Sequence, residues 1–187
     1  MHNRGEMFSL AIDQDSELRL FEPRHAEELN ALVVSNFDHI HEWSAWLTVR
    51  ERQVDQTREW IVQNLQNFAS GAGYEVGIWH NGAIAGQIGY NGLETPSHKV
   101  EIGYWLGASF QGNGLIIRSC RIMIDHAFLN LGINRVEIKC GTENLKSRKV
   151  PERLGFTEEG IARQAEWLHG RYIDLAVYSL LASEWAQ

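Results

Sequence analysis

The sequence predicts an α/β (α+β) protein in which helices pack on a mixed β-sheet. Three observations carry this. Strand-like and helix-like segments follow one another in the order β-β-α-α-β-β-β-α-β-α-β-β, and helices laid on a sheet are the packing such an order allows. Asn81-Gly82 separates two apolar runs, the strongest two-residue hairpin signal. Tyr104 to Ile117 passes from a strand through a glycine-bearing turn straight into a long apolar helix.

The elements follow in order. Phe8 to Ile12 and Leu18 to Phe21 read as strands joined by Asp13-Gln14-Asp15-Ser16. Pro23 suits a helix start, and Ala26 to Val34 carries a helical apolar pattern. His39 to Trp46 is aromatic and reads as a short helix or loop. Gln53 to Phe68 is an amphipathic helix with Trp60, Ile61, Leu65 and Phe68 on one side. Tyr74 to His80 and Ala83 to Tyr90 form the hairpin, and Lys99 to Leu106 is a further strand. Gly114 to Leu131 is a helix stopped by Gly132, with Arg118, Arg121 and Asp125 as its polar stripe. Arg135 to Cys140 is a strand, and Asn144 caps a short helix that ends at Leu154-Gly155. Two strands close the chain: Phe156 to Trp167, expected to be interrupted, and Tyr172 to Leu181, joined by His169-Gly170.

Composition narrows the function. At 187 residues, residues 1–187 are expected to form a single domain, large enough to bury about two-thirds of its chain surface. No apolar run approaches the roughly 18 residues of a membrane span, and Met1 to Glu6 are not followed by the apolar stretch of a secretion signal. The expected location is the cytoplasm, with no membrane partner. The net charge of −7 argues against nucleic acid as a partner and suits a cationic acceptor such as an amine. Cys120 and Cys140 sit in apolar settings, as buried free thiols do. His39 and His41 have no carboxylate or cysteine at ligand spacing, so no metal is expected.

The junction before the long helix carries chemistry. A turn feeding a helix points several N–H groups and the positive end of the helix dipole at one spot, which makes an anion cradle. A P-loop needs Lys followed by Ser or Thr after its last glycine, and Leu115 and Ile116 stand there. A dinucleotide fingerprint needs a third glycine where the chain has Ile117. What remains is Gln111-x-x-Gly114 followed by apolar residues.

That pattern, together with Glu101-Ile102-Gly103-Tyr104-Trp105-Leu106, Leu131-Gly132-Ile133-Asn134-Arg135-Val136, Asn144-Leu145-Lys146-Ser147-Arg148 and Pro151-Glu152-Arg153-Leu154-Gly155-Phe156, resembles the RimJ/RimL branch of the GNAT superfamily of N-acetyltransferases. The resemblance spans roughly Ser9 to Trp185. It implies the GNAT fold: a mixed, mostly antiparallel sheet of about seven strands, splayed at its centre, with about four helices packed on it. It implies acetyl-coenzyme A as cosubstrate. The amides of Gln111, Gly112, Asn113, Gly114, Leu115 and Ile116 would hold its pyrophosphate, and its pantetheine arm would lie along Tyr104, Trp105 and Leu106 and near Asn144. Ser147 would serve the leaving thiolate. Glu166 matches the position of the base, with Glu101 as rival or as part of the acceptor site beside Trp43, Trp46 and Trp167. Lys146, Arg148, Lys149, Arg153 and Arg118 are candidates for the coenzyme's phosphates. Pro151 removes the helix partner of the Ser147 carbonyl, and a kink there is expected. Members of the branch often form homodimers, and no residue pattern here proves one.

The named members of the branch acetylate the N-terminal α-amine of ribosomal proteins. Roughly one α-amine in seven is neutral at pH 7, against about one lysine in 2,500, so an N-terminal acceptor asks little of a single carboxylate. Other readings stay open: an acetyltransferase for a small amine such as a polyamine or aminoglycoside, and a non-catalytic acetyl-coenzyme A sensor. A nucleotide-binding domain is disfavoured by the missing loop residues.

Overall fold

The computed structural model describes residues 9–50, 52–94 and 96–185; Phe8 of the first expected strand and the segment Met1 to Glu6 lie outside them. Eight strands form one sheet: β1 (Ser9–Ala11), β2 (Ser16–Leu20), β3 (Tyr74–His80), β4 (Ala83–Glu94), β5 (Lys99–Leu106), β6 (Arg135–Gly141), β7 (Thr157–Leu168) and β8 (Arg171–Leu181). Their order is β1-β2-β3-β4-β5-β6-β8-β7, the eight strands read along the sequence and one more than the seven or so the resemblance implied. Every neighbouring pair is antiparallel except β5 and β6. The helices are α1 (Ala26–Ser35), α2 (Phe37–His41), α3 (Val54–Ser70), α4 (Leu115–Leu129) and α5 (Leu145–Leu154).

Side-chain alternation gives the sheet two apolar faces. On one, Ile88, Val100, Ile102 and Leu106 pack against Leu115, Cys120, Met123, Ile124 and Ala127 of α4 and Leu154 of α5. On the other, Trp79 and Ile84 pack against Leu29 and Val33 of α1, Ile40 of α2 and Ile61 of α3. Both cysteines are buried and free. Local signals set the ends of several elements. Gly71 and Gly155 close α3 and α5 in the left-handed region, at φ 71° and 82°. The helix expected within His39 to Trp46 begins and ends earlier, as α2. The expected interruption near the chain's end is a pair of register shifts in β7, between Glu158 and Gly160 and between Ala162 and Glu166, within one continuous strand.

β4 and β5 approach so closely at Gly86 that a Cβ there would lie 2.2 Å from the Trp105 carbonyl oxygen and 2.9 Å from the Leu106 Cα. Backbone cannot step aside as a side chain would. Gly86→Ala is therefore expected to cost about 1–3 kcal/mol, read as a lower denaturant midpoint at an unchanged slope.

Candidate active site

β5 and β6 pair only at Lys99↔Arg135, Val100↔Val136 and Glu101↔Glu137. Beyond Glu101 and Glu137 the two parallel strands part, leaving a gap between Ile102–Leu106 and Ile138–Gly141. The ladder on the far side of β5 fixes which groups face it. The Gly107 N–H reaches the Ala85 carbonyl at 2.9 Å, so the facing residues Gly86 and Leu106 do not bond to each other. By alternation, Tyr104 and Leu106 turn their N–H and C=O groups away from β4 and into the gap. Trp105, between them, bonds to β4, and its indole packs among α1–α3 on the sheet's other face.

The C-terminal ends of β5 and β6 deliver two helix N-termini to the mouth of this gap. After β5, a turn of 3₁₀-helix (Ala108–Phe110) leads through Gln111, Gly112, Asn113 and Gly114 into α4. Gly112 and Gly114 adopt φ of 87° and 69°, where a side chain costs energy. Gly112, Asn113 and Gly114 are exposed. Among the described residues, the N–H groups of Gly114, Leu115, Ile116 and Ile117 have no partner, as expected of a helix start without a cap. The Leu115 side chain is buried in the core and Ile116 packs beside it, which leaves their backbone amides outward at the turn. Arg118 lies across the loop, donating to the Asn113 carbonyl at 2.7 Å and to Asp13 of the β1–β2 turn at 3.0 Å.

After β6, Asn144 caps α5, its Oδ1 accepting from the Ser147 N–H at 3.1 Å. Ser147 sits three residues in, partly buried. Its hydroxyl donates to the Tyr104 hydroxyl at 3.2 Å and lies 3.2 Å from Cys140 Sγ. Tyr104 donates to the Ser147 carbonyl at 3.1 Å. Burial pushes both the Tyr104 phenol and the Cys140 thiol above their ordinary ranges, so both are protonated at neutral pH. Pro151 lies inside α5, which continues to Leu154.

Glu166 comes from β7, two strands beyond β6 in the sheet. Between Ala162↔Leu175 and Glu166↔Ile173 the β7 strand takes up two extra residues. Gln164 at φ 50° makes the bend, and its N–H is held by Asp174 Oδ1 at 2.8 Å. This bulge re-aims Glu166. Burial raises its carboxyl above the usual range, the Glu101 charge adds to this, and His169 opposes it. Glu101 is tied to Lys139 Nζ at 2.7 Å, and Lys139 also reaches Glu137 at 3.4 Å. Trp43 lies against Gly141 at the end of β6, where a Cβ would come within 3.0 Å of its ring. Beside it opens a groove of about 270 Å³, bounded further by Thr142, Glu143, Arg171 and Tyr172. Trp46 is 48% exposed, 6.4 Å from the Trp105 ring and under the Arg52 guanidinium. Trp167 is 56% exposed and meets Tyr172 edge-on at 4.7 Å. Among the described residues no group of three or more His, Cys, Asp or Glu side chains is placed to hold a metal ion.

A parallel strand pair that separates between two helix N-termini is the arrangement the resemblance implied. Residues 16–157 match the acetyltransferase (GNAT) domain family. The chain belongs to the GNAT acetyltransferases. It is closely related to the RimJ/RimL-type ribosomal-protein acetyltransferases. The putative ribosomal N-acetyltransferase YdaF of Bacillus subtilis (strain 168) is 38% identical over 180 residues, covering 96% of this chain and 98% of that protein. A solved structure of the ribosomal L7/L12 α-N-protein acetyltransferase RimL with coenzyme A superimposes with a TM-score of 0.86 at 30% identity, over 92% of this chain and 97% of that one. The microcin C7 self-immunity acetyltransferase MccE, solved with acetyl-coenzyme A and AMP, gives 0.86 at 29% identity, over 91% and 94%. Acetyl-coenzyme A is the acetyl donor of this chain.

Several features of the acetyltransferase were not legible in sequence. Asn36, at the α1–α2 junction, accepts from the Ala108 N–H at 2.8 Å, and His39 Nε2 meets the Gln111 side-chain amide at 2.7 Å. These bonds brace the loop from 72 residues away, and no local signal points to either. His41 and His169 stack with ring centroids 3.6 Å apart, joining α2 to the β7–β8 hairpin. Of the candidate phosphate-binding residues, Arg148 is already engaged: it donates to Tyr178 Oη at 2.9 Å and to Glu158 at 3.1 Å. Lys146, Lys149 and Arg153 remain on the surface of α5.

Proposed function

We propose that this acetyltransferase passes the acetyl group directly from acetyl-coenzyme A to the N-terminal α-amine of a protein, with ribosomal proteins as the acceptor class. Two observations support the reading: the Ser147 hydroxyl bonds to Tyr104 of β5 across the gap into which the Tyr104 and Leu106 N–H groups point, and the Glu166 carboxyl feels the charge of Glu101, where β5 and β6 part. The coenzyme's pyrophosphate rests on the amides from Gly112 to Ile116, and its thioester lies in the gap. The Tyr104 or Leu106 N–H polarises the thioester carbonyl. Glu166 takes a proton from the amine, directly or through one water, as nitrogen attacks. The N–C bond forms, the C–S bond breaks, and Ser147 donates a hydrogen bond to the departing thiolate. Cys140, protonated and hydrogen-bonded beside Ser147, is not set up as a nucleophile.

Support for the acceptor comes from two directions. A raised carboxylate is a modest base, adequate for an α-amine that is partly neutral at pH 7. RimL, which shares the fold closely, is an α-N-protein acetyltransferase. The test is release of free coenzyme A thiol across a panel of amines. Peptides beginning with Ser or Ala should turn over, and polyamines and aminoglycosides should not. Faster turnover of a small amine would replace this acceptor with the small-amine reading. Coenzyme binding by calorimetry without thiol release from any amine would leave a sensor.

A further inference from the structure

A proline at position i of a helix leaves the carbonyl at i−4 without its N–H partner. Here Pro151 sits inside α5 and the carbonyl concerned is that of Ser147. That carbonyl is satisfied from outside the helix, by the Tyr104 hydroxyl of β5 at 3.1 Å. We propose that Tyr104 is the positioning residue for Ser147, its hydroxyl standing in for the helix N–H that Pro151 lacks and so fixing the turn of α5 that carries the serine across the mouth of the strand gap. The inference rests on the reading of Ser147 as the group that serves the leaving thiolate.

Donor directions follow from the termini of the chain of bonds. A carbonyl only accepts, so Tyr104 spends its single proton on the Ser147 carbonyl. The Tyr104 oxygen then accepts from the Ser147 hydroxyl at 3.2 Å. Ser147 Oγ keeps lone pairs for the Cys140 thiol, 3.2 Å away. One phenol therefore holds the serine twice, by its backbone and by its side chain. The serine hydroxyl rests on Tyr104 until a thiolate forms, a stronger acceptor toward which its proton can turn. The arrangement spans the gap itself, because Tyr104 belongs to β5 and Ser147 follows β6. Any shift in strand separation moves the serine with it.

The test is a double-mutant cycle of Tyr104→Phe and Pro151→Ala, read in kcat and acetyl-coenzyme A KM with the best amine of the panel above, and in unfolding midpoint without substrate. Pro151→Ala returns an N–H to the Ser147 carbonyl. With Pro151 in place, Tyr104→Phe should lower kcat about tenfold, leave KM for acetyl-coenzyme A within about twofold, and lower the midpoint. In the Pro151→Ala background only the bond to the Ser147 hydroxyl is left to lose, so the same change should cost less, about threefold in kcat and a smaller drop in midpoint. Equal losses in both backgrounds would mean that the Tyr104 hydroxyl acts only through the Ser147 side chain and does not replace the missing N–H, and would overturn the proposal while leaving Ser147 its role. Ser147→Ala separates the two: wild-type kcat in that variant removes the leaving-group role and the positioning role with it. If no amine in the panel turns over, the function reading fails, and the midpoint cycle alone still decides whether Tyr104 replaces the missing N–H.

Discussion

Glu166→Gln should lower kcat by about 10²-fold or more, the usual loss when a general base is removed, with acetyl-coenzyme A affinity unchanged. Gln keeps the shape and removes only the ability to take a proton, so binding and chemistry separate. The pH profile sharpens the test. Burial and the Glu101 charge hold the Glu166 carboxyl above the ordinary carboxylate range, while His169 pulls it down. The working form is the carboxylate. The acid limb of kcat/KM should therefore lie at higher pH than an unperturbed glutamate would give. Glu101→Gln removes one opposing negative charge, which favours the ionised form of Glu166. The limb should then move to lower pH, with full activity recovered near neutrality. A limb that stays put, or an active Glu166→Gln enzyme, would show that proton transfer goes elsewhere.

Asn113→Glu should raise the dissociation constant for acetyl-coenzyme A at least about tenfold while leaving the protein as stable as before or slightly more so. The two effects have opposite signs for one reason. A carboxylate beside the start of α4 is favoured by the helix dipole and by unpartnered N–H groups, and so occupies the place meant for phosphate. Asn113 is exposed, lies outside the positive-φ positions, and uses its carbonyl rather than its side chain to hold Arg118. The substitution therefore strains nothing. Calorimetry with coenzyme A, alongside a thermal melt, reads both. Wild-type affinity in this variant would place the pyrophosphate away from this turn and undo the site as drawn.

The order of strands and helices was legible because each signal was local: Asn81-Gly82 between apolar runs, the glycine stops, the helical spacing around Ile61. The loop from Gln111 to Ile116 was legible for the same reason, since a strand, a left-handed glycine and a helix start are contiguous. Glu166 was reached only through the resemblance, because its environment is made by burial, by a bulge whose two extra residues have no counterpart on β8, and by a charge on β5. His39, Asn36 and Lys139 gave no signal at all. Each acts on a group 38 to 72 residues distant, and a polar residue in a helix or strand looks the same whether or not such a partner exists. The carbonyl that Pro151 leaves without a helix partner is met by Tyr104, 43 residues away in sequence, which no local pattern announces.

By itself the chain dictates where its turns fall, which faces are apolar and where a helix start offers bare amides, since these depend on neighbours in sequence. The parting of β5 from β6, the meeting of Tyr104 with Ser147 and the burial that, with the Glu101 charge, lifts the Glu166 carboxyl belong to the tertiary structure. They arise only when strands from distant segments are laid side by side, a juxtaposition that no local stretch of sequence encodes.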